Sequence, residues 1–397
     1  MIKYIDEIPL KGQRVLMRTD FNIPLDDSGN ITDDNRIRAA LPSIRYALEA
    51  EARLILCSHL GRPKGQRIEK FSLRPVAGRL GELIDREVPL APDCIGAEVE
   101  NQVSSMSDGE VLLLENLRYH QGETKNDPGF AKALARMADV YINDAFAVSH
   151  RSHASVTGIP GLVKNCAAGF LVKQELLYFK KAVEEPARPL VAILGGAKIS
   201  SKLGAVKNIL DRVDKLIVGG AMANTFLAAQ GINIGKSLAE KSLADTAGAL
   251  IDRARDKGVK LYLPVDCIIA RDIDANAGTR TVPVQEIPDD WMALDIGPAT
   301  SSLFSEALYN VKTIVWNGPM GAFELGPFSQ GTIALAHAVG SSQAISIVGG
   351  GDTDLAVHRA GEAGNISYMS TGGGAFLSLL EGKELPGITA LEECIKK

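Results

Sequence analysis

The sequence predicts an α/β protein of two doubly wound, parallel-sheet domains of Rossmann-like type, joined by a hinge helix. Three observations carry that prediction. Short β-branched apolar runs recur along all 397 residues, continuous rather than alternating, as in strands buried on both faces. Helical patterns sit between consecutive runs, the rhythm of crossover connections. The chain is also too long for one ordinary core, since domains run to roughly 100–200 residues.

In the first half, strands are expected at 14–18 (RVLMR), 53–57 (RLILC), 111–114 (VLLL) and 140–143 (VYIN). Helical patterns at 36–49 and 73–85 separate them. In the second half, strands are expected at 190–194, 216–218, 260–264, 312–316 and 344–348. The helices there are 200–212, 241–257 and 354–363. Phe170 to Phe179 reads as an amphipathic helix, and the charged stretch from Lys180 carries Pro186 and Pro189. The domains are therefore expected over 1–170 and 189–376, with a connecting helix and linker over 171–188.

Bulk composition excludes several functions. The net charge of −5 gives no basic field for nucleic acid or a membrane surface. The amino terminus lacks the layout of a signal peptide, and no run approaches the roughly 18 apolar residues of a membrane helix. A cytoplasmic protein is expected. The five cysteines (57, 94, 166, 267, 394) are odd in number, widely spaced and without a CxxC pair. Reduced thiols and no zinc site follow.

Chemistry-bearing residues divide between the halves. Before residue 171 there are 14 arginines and 13 glycines; after it there are 7 and 26. Arginine forks suit carboxylate and phosphate. Glycine loops that open helices suit nucleotide phosphates. Two kinds of anion site suggest an enzyme that moves a group between two bound molecules.

The motifs sit where strands end, which is where open α/β sheets bind ligands. Asp20-Phe21-Asn22 follows the first strand, and His59-Leu60-Gly61-Arg62 the second. Asn116-Leu117-Arg118 follows the third, and Asp144 with His150-Arg151 the fourth. If the strands are parallel, Arg36, His59, Arg62, Arg118 and Arg151 share one anion pocket. His59 is a general base or, in the favoured reading, a positioning donor. In the second half, Gly195-Gly196-Ala197-Lys198 and Gly349-Gly350-Gly351-Asp352-Thr353 follow strands, and Lys202 lies one turn past Lys198. Asp352 suits a magnesium ion bridging nucleotide phosphates. The GxxxxGK[ST] pattern is absent, and Asp354 and Leu377 stand where GxGxxG needs its third glycine. A nicotinamide dehydrogenase is disfavoured.

From end to end the chain resembles the phosphoglycerate kinase family. The matching segments occur in family order. They include RVLMRTDFNIP (14–24), DDNRIRAALPSI (33–44), SHLGRPKG (58–65), LLLENLRYHQGE (112–123) and YINDAFAVSHRSHAS (141–155). They continue with ILGGAKISSKL (193–203), LIVGGAMANTFLAAQG (216–231), VWNGPMGAFE (315–324), IVGGGDT (347–353) and STGGGAFL (370–377). The resemblance implies transfer of the acyl phosphate of 1,3-bisphosphoglycerate to ADP, with magnesium, by a monomer. It implies that a tail from about 377 packs back on the first domain. It implies a 3-phosphoglycerate site of Asp20, Phe21, Asn22, Arg36, His59, Leu60, Gly61, Arg62, Arg118 and Arg151. The implied nucleotide site is Lys202, Gly219, Gly220, Asn317, Glu324, Gly350, Gly351, Asp352 and Thr353, with Asp352 as metal ligand. It also implies that Arg36, Lys198, Gly372 and Gly373 surround the phosphoryl in flight. Three positions depart from the family pattern: Ile23, Ala147 where glycine is expected, and Ala299 where a polar residue is usual.

Overall fold

Runs of Val, Ile and Leu without polar interruption can only be satisfied between two helical layers, and that is where they lie. In the computed structural model, which describes residues 2–396, the chain forms two compact units. The first runs to Leu176 and takes back the tail from Glu384; the second runs from Leu177 to Lys383.

The first unit holds β1 (Arg14–Arg18), β2 (Arg53–Cys57), β3 (Val111–Leu113), β4 (Val140–Asn143) and β5 (Asn165–Ala168). They pair in the order β3-β2-β1-β4-β5, all parallel. Helix Asn35–Glu49 buries Ile37, Ala40, Ile44 and Ala47, a spacing of three and four residues that makes one apolar face. That face, helix Arg74–Ile84 and Val15, Met17, Leu54 and Leu56 of the sheet share one core.

The second unit adds β6 (Leu190–Leu194), β7 (Lys215–Val218), β8 (Lys260–Tyr262), β9 (Asp266–Ala270), β10 (Arg280–Pro283), β11 (Met292–Ile296), β12 (Thr313–Asn317), β13 (Ile345–Gly349) and β14 (Tyr368–Ser370). Six of them form a parallel sheet in the order β14-β13-β12-β6-β7-β8. The other three form an antiparallel sheet, β10-β9-β11, which the reading of uniformly parallel strands did not anticipate. The expected helix 354–363 is displaced: it runs Gly351–Arg359 and stops before Gly361, whose φ is +75°.

Two other expectations need revision. The tail that joins the first unit begins at Glu384 rather than near 377, because helix Gly373–Leu380 stays with the second unit. The thiols are not all reduced: Cys166 and Cys394 form a disulfide with Cα atoms 6.2 Å apart. The pair spans 228 residues, so local cysteine spacing carries no sign of it. It ties the tail helix Pro386–Ile395 to β5, and Cys57, Cys94 and Cys267 remain free and buried. Among the described residues, no helix is long and apolar enough to cross a membrane.

Candidate active site

Each parallel sheet has one place where strand order reverses, and ligands of such sheets bind beyond the strand ends there. In the first unit it lies between β1 and β4; in the second, between β6 and β12.

The first-unit loops are zipped together by their own polar groups. Ser58 Oγ accepts the Phe21 amide at 2.8 Å, and Asn22 Oδ1 accepts the Gly61 amide at 2.8 Å. Asn116 donates to Leu60 O at 2.7 Å, and Arg118 Nη1 donates to Gly61 O at 2.7 Å. Gly61 has φ +61°, and a Cβ there would strike the Phe71 ring. Phe21 and Leu60 are buried wedges under these loops.

Charge is concentrated on this frame. Arg36 Nη1 donates to Asp20 Oδ2. Arg18, fully buried, donates from Nη2 to His59 Nδ1 at 3.0 Å. Burial, together with Arg18, Arg118, Arg151 and Arg36, pushes the His59 pKa well below its usual value, so this ring is neutral. Burial also lowers Arg118 to about 10, helped by Arg151 and Arg18. Arg151 is lowered by burial and then by Arg62. Arg18 adds to the depression of both groups, and the neighbouring carboxylates, Asp20 for both and Glu123 for Arg118, offset it only in part. Among the described residues, buried Arg118 Nε has no hydrogen-bond partner. The cluster is therefore short of anionic oxygen.

The second unit builds its site from backbone. Gly195 N–H donates to Asn317 O at 3.0 Å, Gly196 N–H to Pro319 O at 2.9 Å, and Gly220 N–H to Met320 O at 3.0 Å. Three loops thus pack main chain against main chain. Gly220 has φ +64°, and a Cβ there would fall 2.6 Å from Gly196 N. Above them is a cavity of about 280 Å³, lined by Gly196, Gly220, Leu238, Leu294, Pro319, Met320, Glu324 and Asp352 among others.

At one edge of this cavity Lys202 Nζ donates to Asn317 O at 2.9 Å and to Asn317 Oδ1 at 2.6 Å. Burial lowers the Lys202 ammonium to about 8, against the charge of Asp352. Asn317 Nδ2 donates to Gly349 O at 2.7 Å, and Gly318 N–H donates to Thr353 Oγ1 at 2.7 Å. Gly350 caps helix Gly351–Arg359, so the first amides of that helix and Asp352 occupy the loop after β13.

Most expected residues are brought together within their own unit. Hydrogen bonds join Asp20 to Arg36, Asn22 to Gly61 and Arg118 to Gly61, while Arg62 is exposed and acts on Arg151 through its charge. Lys202, Asn317, Gly350 and Thr353 meet, and Gly219 and Gly220 support the cavity floor. Lys198 is exposed, and the charged group it influences is Glu240. Gly372 and Gly373 open helix Gly373–Leu380 after β14.

Sequence reasoning gave no role to Arg18, Glu123 and Ser155, although they lie within the matching segments 14–24, 112–123 and 141–155, nor to the cavity wall of Leu238, Leu294 and Met320. The three departures are benign here. Ile23 joins the core, Ala147 does not adopt the positive φ that would demand glycine, and the Ala299 amide donates to Asp266 Oδ2 at 3.0 Å.

Comparison with known proteins identifies the family. The family profile for phosphoglycerate kinase matches residues 5–383. The phosphoglycerate kinase of Geobacter sp. (strain M21) is 61% identical over 99% of this chain and 98% of its own. That of Desulfotalea psychrophila is 58% identical over 98% of this chain and 100% of its own. Among solved structures, phosphoglycerate kinase from Coxiella burnetii aligns with a TM-score of 0.90 at 42% identity, covering 99% of both chains. The Pyrococcus horikoshii enzyme aligns at 0.84 and 30% identity over 100% of both chains. The chain belongs to the phosphoglycerate kinase family, glycolytic phosphotransferases that reversibly pass the acyl phosphate of 1,3-bisphosphoglycerate to ADP, giving 3-phosphoglycerate and ATP.

Proposed function

We propose that the first unit of this chain binds 3-phosphoglycerate through its arginine cluster and the second binds ATP or ADP in its glycine-floored cavity. The observation that carries the reading is the crowding of cations at the strand ends: burial lowers Arg118, with Arg151 and Arg18 adding to it, and burial lowers Arg151, with Arg62 and Arg18 adding to it, against only partial compensation by Asp20 and Glu123. A small ligand with a phosphate and a carboxylate relieves that crowding. Arg62, Arg118 and Arg151 take the distal anionic group, and Asn22 and Asp20 orient the hydroxyl.

The apolar wall of Leu238, Leu294 and Met320 suits a purine ring, and the amides of Gly350 to Thr353 with Lys202 suit its phosphates. Asp352 fits a magnesium ion: it is an exposed carboxylate on the cavity lining whose charge already reaches Lys202. Magnesium, when bound, neutralises charge on the nucleotide phosphates, which suits one or two carboxylates plus phosphate oxygens. Glu324 and Asn317 complete this site.

In the ATP-consuming direction the nucleophile is a carboxylate, ionised at neutral pH. No general base is needed, and neutral His59, its Nδ1 taken by Arg18, is suited to donate. Catalysis then rests on alignment and charge neutralisation. Arg36, Lys198 and the amides of Gly372 and Gly373 are the groups assigned to the phosphoryl in flight. The enzyme works as a cytoplasmic monomer.

The test is ATP- and magnesium-dependent phosphorylation of 3-phosphoglycerate, coupled to an NADH-consuming dehydrogenase. Turnover that vanishes with EDTA is expected. Folded protein that binds both ligands without turnover would contradict it.

A further inference from the structure

We propose that Glu123 and Ser155 are positioning residues of the arginine site: acting through Arg18, they hold His59 in the tautomer that carries its proton on Nε2. Four separate segments meet to do this. Arg18 ends β1, His59 follows β2, Ser155 lies beyond β4, and Glu123 sits in the short helix Gln121–Thr124. Arg18, Glu123 and Ser155 all have 0% exposure.

The hydrogen bonds run in one direction. A guanidinium has only donors and keeps its charge. Arg18 Nε donates to Ser155 Oγ at 2.9 Å, Nη1 donates to Thr19 O, and Nη2 reaches His59 Nδ1 at 3.0 Å. His59 Nδ1 is therefore an acceptor, and the single proton of the neutral ring lies on Nε2. Ser155 Oγ, having accepted from Arg18, donates to Glu123 Oε1 at 2.7 Å, while its amide donates to Glu123 Oε2 at 3.0 Å. Burial pushes the Glu123 carboxyl up, but His153, Arg18 and Ser155 outweigh it and keep it ionised. The dry interior thus holds a compensated pair, Glu123 and Arg18, bridged by one hydroxyl. Its output is a fixed neutral donor at His59 Nε2.

The inference rests on the assignment of the arginine cluster to 3-phosphoglycerate. Long-range ¹H–¹⁵N spectra of the intact protein, with His59 assigned through His59→Gln, read the tautomer directly. The expected signal has a bare Nδ1 and a protonated Nε2; a protonated Nδ1 overturns the proposal whatever any variant does. In Ser155→Ala and Glu123→Gln, a mixture of tautomers is expected. KM for 3-phosphoglycerate should rise about tenfold, while kcat and KM for ATP stay within about twofold. Should either variant fail to fold, the wild-type tautomer still decides. A folded Ser155→Ala with unchanged His59 signals and unchanged KM overturns the proposal. Arg62→Ala separates the two readings. If it raises KM and Ser155→Ala does not, the positioning role falls and the substrate assignment stands. If Ser155→Ala shifts the tautomer but neither variant moves KM, the substrate assignment fails and the consequence for binding fails with it.

Discussion

The two sites occupy the same place in similar sheets and are made of different material. Beyond β1 and β4, positive charge comes from side chains, with Arg36 held by Asp20 and Arg18 by Ser155, on loops that Asn22 and Asn116 tie together. Beyond β6 and β12, loops of Gly195, Gly196, Gly219 and Gly220 bring main chain against main chain, beside the half-buried ammonium of Lys202. Side-chain cations give a deep, fixed well for a small anion of defined shape. Bare backbone gives a surface that a long ligand can lie against closely. One fold therefore reads two anions through the choice between arginine and glycine at its strand ends.

The largest break in that comparison comes from Arg36→Ala. If Arg36 serves the transferring phosphoryl, kcat should fall on the order of 10³-fold while KM for ATP stays within about twofold. Steady-state kinetics decide it, and an equal loss of ATP affinity would remove the division between the sites.

A glycine pair sharpens the backbone side. Gly220→Ala places a Cβ 2.6 Å from Gly196 N at φ +64°, so stability should drop by roughly 2 kcal/mol or more, with nucleotide affinity lost first. Gly351→Ala meets nothing within 4 Å and should leave stability level or raise it by about 0.5 kcal/mol. Melting curves of both variants, with and without ADP, check the contrast.

Lys202 gives the pH signature of the second site. Its ammonium, lowered to about 8 by burial, is charged below that pH and neutral above it. Nucleotide affinity should hold at pH 7 and fall by up to about tenfold per unit above pH 8. Lys202→Arg should flatten the profile. An identical slope in the variant would assign the titration elsewhere.

The smallest effect concerns the cysteines. Denatured protein without reductant should titrate as three thiols, those of Cys57, Cys94 and Cys267, and with reductant as five. Five in both conditions would return the chain to the fully reduced state expected from cysteine spacing.

What was legible in the sequence follows physical lines. The buried strands β1, β2, β4, β6, β12 and β13 were readable because uninterrupted aliphatic runs have few other uses. Edge strand β5, with the sequence NCAA, and β14, with YMS, carry little β-branched content and depend on their neighbours. The antiparallel β10 and β11 are partly exposed and lack a long apolar run, whereas β9 (DCIIA) is largely buried and its short apolar run was passed over. Arg36, Arg62 and Lys202 were legible as cations in loops or at helix starts. Arg18 was hidden because a charged residue ending a strand reads as ordinary surface, whereas it is fully buried. Glu123 and Ser155 lie within segments that match the family, but their role comes only through the folding that brings them to Arg18.

The central claim is that small-anion and nucleotide binding are separable between the arginine and glycine sites. Calorimetric titration of 3-phosphoglycerate, and separately of magnesium-ADP, into wild type and Arg62→Ala tests it most directly. Arg62 is exposed, so its loss leaves the fold intact. The account predicts 3-phosphoglycerate affinity weakened about tenfold or more with ADP affinity unchanged. Equal weakening of both ligands, or of neither, would contradict it.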